Sequence, residues 1–169
     1  MTRIKFFPET SDVFFENVEL CDKHFYPLVT IDLSTVDKEL SGLIHIVYSN
    51  NDPYSDESEK YYTDYCNNDL MIFDLVDNKL KFKGEFGFFK TNDDWIEWLD
   101  KGRKSYTENK EKFEKGEFDL SEAIKNLGTK PDWLQEENWP TNDNGQKLKF
   151  ICHVYSGDFV SDYCEEEIY

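Results

Sequence analysis

Four cysteines and three histidines are the residues of this chain best suited to hold a metal. His24 lies three residues after Cys21, and Cys152 directly precedes His153. On paper the four make a zinc set. Neighbours on a strand point to opposite faces, however, so Cys152 and His153 do not converge on one ion. Buried thiols and ordinary histidines are the commoner outcome, and no cofactor or metal is expected. Asp52, Asp56 and Glu57 crowd the stretch NNDPYSDES. They lack the EF-hand spacing and its glycine, so the stretch reads as a solvated loop. No Gly-x-Ser-x-Gly, Gly-x-Gly-x-x-Gly or Walker loop is present. Acid pairs among 36 Asp and Glu select no catalytic site, and the sequence favours a protein that is not an enzyme.

Charge narrows the partners. The formal net charge is -17, and Arg3 and Arg103 are the two arginines. No basic patch can be drawn, which argues against nucleic acid and anionic membrane surfaces. An acidic surface attracts basic proteins or serves solubility alone. TRIKFFPET follows Met1 without an apolar run, so no export signal is read, and a cytoplasmic location with free thiols is expected. No segment has the length and apolarity of a membrane span.

The elements that must position any site are aromatic-rich. Hydrophobic residues make up 38% of the 169, but aromatics alone make up 17%, enough to build a core from few side chains. FYPLVTIDL (25–33) and GLIHIVYS (42–49) read as strands. Asn50 to Asp69, with six acids against Lys60, reads as an exposed loop. LMIFDLVDNKLKFKGEFGFF (70–89) reads as a hairpin turning at Asp77-Asn78, with Gly84 or Gly87 as a bulge. Trp95, Trp98, Leu99, Tyr106 and Phe113 share a helical face, capped by Asn92 or Asp93 and interrupted near Gly102. SEAIKNL reads as a short helix ending at Gly128, and LKFICHVYS (148–156) as a last strand.

KPDWLQEENWP (130–140) sets two tryptophans in a segment with neither helical nor strand period. With LGT before it and LKFICHVYSGDF after, it resembles the YwqG-like family of uncharacterised bacterial proteins. Gly128, Pro131, Trp133, Leu134, Gln135 and Pro140 carry the resemblance, and PLVTIDLSTVDKELSGLIHIVYSNND looks like the family's upstream copy. Many members carry a cysteine pair after the Trp-Leu-Gln step. Here that region is TNDNGQ, so the resemblance implies no metal there. Pro131 favours an extended Lys130, which lets Trp133 and Leu134 drop into the core as a plug.

The expected architecture is a single α+β domain over 1–169, mostly antiparallel, with a helical insertion between two strand groups. The expected function is a non-enzymatic acidic protein-binding domain. The resemblance implies an immunity protein that neutralises a basic toxin, since YwqG-like domains occur among such proteins. The expected contact residues are Asp52, Asp56, Glu57 and Glu59, with Asp158, Asp162, Glu165, Glu166 and Glu167. The alternative is a housekeeping enzyme or small-ligand binder, which would need an aromatic pocket with convergent polar groups.

Overall fold

A computed structural model describes residues 3–52, 54–68, 70–133, 136–137, 139–142 and 144–160. Among them the chain is α+β, with several small antiparallel sheets and few helices. The main sheet pairs β1 (Ile4–Phe6), β2 (Phe25–Asp32) and β3 (Leu43–Ser49) in that order. Two short helices, α1 (Thr10–Val13) and α2 (Val18–His24), lie between β1 and β2.

β2 organises the molecule. Six of its eight residues are buried, so it is covered on both faces. Its register on β3 slips between Pro27 and Val29, which leaves Leu28 as an extra residue. Proline has no N–H to give a ladder and is confined within sheets to edges and bulges. The bulge lets Leu28 and Val29 enter the same aromatic cluster, with Phe7, Tyr26, Ile31, Tyr106 and Phe159. Phe25, on the near side of the bulge, belongs to a second cluster with Val13, Phe14, Phe82, Phe88 and Phe89.

A hairpin follows the acidic loop. β4 (Cys66–Asn67) pairs with β5 (Leu70–Met71), and β6 (Phe73–Val76) pairs with β7 (Lys79–Phe82). Asp77 and Asn78 turn the latter at φ 51° and 61°, the left-handed pair that a two-residue hairpin needs. His45 of β3 holds this turn. Its Nε2 donates to the Asn78 carbonyl at 2.6 Å, so Nδ1 accepts from the Thr30 hydroxyl at 2.8 Å. Gly84 and Gly87 are not bulges, because β7 ends at Phe82. Gly87 is small for contact instead: a Cβ there would lie 2.2 Å from the Tyr61 ring.

α3 (Asp93–Glu114) starts after Asn92 and runs unbroken through Gly102. Asp93 and Asp94 in its first turn suit the positive end of the helix dipole. Tyr106 is its buried residue, and its hydroxyl donates to the Pro27 carbonyl at 2.7 Å. The sequence expectation fails after this helix. SEAIKNL is a turn leading to β8 (Ile124–Lys125), because Asp119 captures the Ser121 N–H and hydroxyl, each at 2.9 Å. The expected strand 148–156 narrows to β9 (His153–Val154), paired with β8.

Tyr106→Phe leaves the Pro27 carbonyl buried without its donor while keeping the ring. A loss of about 1–2 kcal/mol is expected, read as a lower urea midpoint at unchanged m-value. An unchanged midpoint would show that water replaces the hydroxyl at no cost.

Candidate functional site

The acidic loop is built around a buried carboxylate. Asp52 was expected on the contact surface, but it is 2% exposed. One oxygen accepts from the Tyr54 N–H at 2.9 Å. The other accepts from the Asn92 N–H at 2.9 Å and the Thr91 hydroxyl at 3.2 Å. The Asn92 side chain, the natural cap of α3, donates to the Tyr54 carbonyl at 3.2 Å instead. Asp52 therefore fastens the loop to the start of α3, where the helix dipole favours a negative charge. Ser55 and Ser58 are buried beside it in sequence, and the Ser58 hydroxyl donates to the Ser55 carbonyl at 2.7 Å. Asp56, Glu57 and Glu59 are exposed as expected, with Glu57 paired to Lys60 at 2.6 Å.

The other expected contacts are only partly within view. Asp158 is half-buried in a short turn (Ser156–Asp158), and burial raises its carboxyl above the ordinary value. Asp162, Glu165, Glu166 and Glu167 lie outside the described residues.

Aromatic side chains border the fastened loop. Tyr54 is 72% exposed and its ring leans on Trp95 of α3, with centroids 5.5 Å apart. Trp98, one turn further, is 45% exposed and carries Lys101 over its ring at 4.8 Å. The helical period places Trp98 on one face with Trp95, Leu99, Tyr106 and Phe113, and of these Tyr106 is buried. The signal that was missed is the acid run Asp93, Asp94, Glu97 and Asp100 around it.

On the other flank of α3 lies a cleft of about 280 Å³, bordered by His24, Asn50, Phe89, Ile96, Leu99 and Arg103. Two of its polar groups are already engaged by backbone carbonyls. Arg103 donates to the Asp22 and Lys23 carbonyls at the end of α2 and lies 4.9 Å from the Tyr26 ring centroid. Asn50 donates to the Leu99 carbonyl at 3.3 Å. His24 stacks on Phe89 at 4.3 Å, and burial, helped by Lys23 and Arg103, pushes its pKa down to about 4.

The tryptophan segment is not a core plug. Trp133 is 38% exposed and packs on half-buried Trp139 at 5.9 Å. Trp139 donates from its indole to the Leu148 carbonyl at 2.7 Å, and Lys147 lies over its ring. Pro140 is exposed, Pro131 half-buried, and Leu134 and Gln135 lie outside the described residues. Gly128 ends no helix. It adopts φ +67° against Val36, whose carbonyl oxygen would meet a Cβ at 2.9 Å. The thiols of Cys21 and Cys66 are quiet, as burial raises them to about 12 and about 11.

No family model, no curated protein and no solved structure matches this chain.

Asp52→Ala should cost about 2 kcal/mol or more, because it strips three donors of a charged acceptor. Trp133→Ala should cost about 1 kcal/mol or less, far below the loss for a core aromatic. Chemical denaturation of the two variants checks the order, and the reverse order would restore the plug. His24 supplies a pH test. Above about pH 6.5 its ring is neutral folded and unfolded alike. As pH falls, the unfolded ring takes up a proton that the folded ring refuses until about 4, so stability declines across that window. The decline should be on the order of 2 kcal/mol after allowing for the ring's open side. His24→Gln should flatten it in urea melts taken from pH 7 to 4, and an equal slope in both proteins would show that carboxylates alone cause it.

Proposed function

We propose that this chain is a protein-binding domain whose partner is basic, and within that class an immunity protein that neutralises a basic toxin in the cytoplasm. The proposal takes residues 1–169 as one YwqG-like domain, with α3 as a helical insertion between two strand groups. The observation that carries it is the net charge of -17 with Asp56, Glu57, Glu59, Asp93, Asp94 and Glu97 all exposed. Toxins that cut nucleic acids are generally basic because their substrates are anionic. A strongly acidic inhibitor draws such a partner in by its field and occupies the same electrostatic niche as the substrate. Within the described residues no helix is long and apolar enough to cross a membrane. A small-ligand binder would use the cleft beside His24. There Arg103 and Asn50 already serve backbone carbonyls, which leaves fewer groups for a ligand. The resemblance carried by Gly128, Pro131, Trp133 and Pro140 supports the immunity reading within the binding class.

The test is association kinetics against basic nuclease toxin domains over a salt series. The association rate should fall steeply as the screening length shrinks to about 10 Å at 0.1 M salt, while dissociation changes less. Replacing Asp56, Glu57 and Glu59 together by the amides should slow association and leave the fold intact. An association rate indifferent to both salt and the triple change would reduce the acidity to solubility.

A further inference from the structure

We propose that Tyr54, Trp95 and Trp98 form the anchor on which a basic protein docks, an inference that rests on the function proposed above and locates its contact face. Large aromatic side chains in water are costly unless something covers them, and tyrosine and tryptophan dominate binding energy at interfaces. Here Tyr54 and Trp98 are exposed, 72% and 45%, and half-buried Trp95 packs on the Tyr54 ring one helical turn before Trp98. The face is held in place before any partner arrives. Asp52 grips the Tyr54 N–H and the Asn92 N–H together, so the loop and the helix that carry these rings cannot move apart freely. Side chains ordered in advance lose less entropy on binding.

Charge selects the occupant. Asp56 and Glu57 follow Tyr54 in the loop, and Asp93, Asp94 and Glu97 surround the tryptophans on the helix, all of them exposed. Nucleic acid and a second copy of this chain, itself at -17, are both repelled. A lysine- or arginine-bearing protein surface is attracted, and its cations meet both carboxylates and ring faces. Lys101 already occupies that relation to Trp98, 4.8 Å from the ring centroid and paired with Glu97 at 2.7 Å.

The experiment uses the full chain, immobilised, with a panel of basic nuclease toxin domains as analytes. The variants are Tyr54→Ala, Trp98→Ala and their double, with Leu75→Ala as control, since Leu75 is 58% exposed on β6 away from the loop in sequence. Each aromatic change should speed dissociation about tenfold or more and leave the salt slope of association unchanged. The control should match wild type. Far-UV circular dichroism checks folding, and Tyr54→Ser with Trp98→Gln replaces any alanine variant that unfolds. Salt-steered binding with dissociation unaltered by the aromatic changes would overturn this site and leave the proposed function standing. No binding, or association indifferent to salt, would overturn both. Concentration-dependent dimers of wild type that the double variant abolishes would make a second copy the occupant and overturn the basic partner.

Discussion

A single strand buried on both faces is the constraint from which the rest of this structure follows. β2 needs aromatic packing above and below, and a strict two-residue alternation would send successive side chains to opposite sides. The extra residue at Leu28 resets that alternation. Phe25 remains with one cluster, while Val29 and Ile31 continue with Tyr26 in the other. Pro27 makes the irregularity cheap, because it has no N–H for the ladder to lose. Its carbonyl still needs a partner, and α3 supplies one through Tyr106. The long helix is thus fixed by the same backbone irregularity that divides the core.

The acidic loop obeys a second constraint of the same kind. A carboxylate taken out of water must be given donors. Asp52 receives them from two segments at once, Tyr54 on its own loop and Thr91 and Asn92 ahead of α3. The neighbouring acids Asp56, Glu57 and Glu59 stay in water. One acid of the loop therefore organises its shape while the others set its field. Ion pairs do not cancel that field, since lysines are far fewer than acids and exposed pairs contribute little to stability.

What the sequence made legible was local chemistry. Strands 25–33 and 42–49, the Asp77-Asn78 turn and the start of α3 after Asn92 each rest on residues within a few positions of one another, and all appear within a residue or two of expectation. The readings that failed depend on distant partners. Asp52 looked solvated because Thr91 and Asn92, its donors, are some forty residues away. SEAIKNL has good helix formers, but the side chain of Asp119 offers Ser121 a competing turn. Trp133 looked like core because Pro131 favours an extended entry that could drop it inward, whereas Trp139 gives it shelter at the surface. Of the candidate site, the acids were visible in composition, and the aromatic face was not, because Trp98 fits the buried stripe by period while lying outside it.

The two clusters also impose an order of assembly. The one around Phe25 draws its buried residues from Val13 to Phe89, and its members are all present once the hairpin and the turn after it have been made. The one around Tyr26 packs Phe7 edge-on against Phe159, with ring centroids 5.2 Å apart, so it joins segments separated by nearly the whole described chain. A growing chain emerges from its amino end, and contacts of high sequence separation form late. Half of the core can close while the chain is still on the ribosome. The other half lacks Phe159 and Val160 until the end of the described chain has been made.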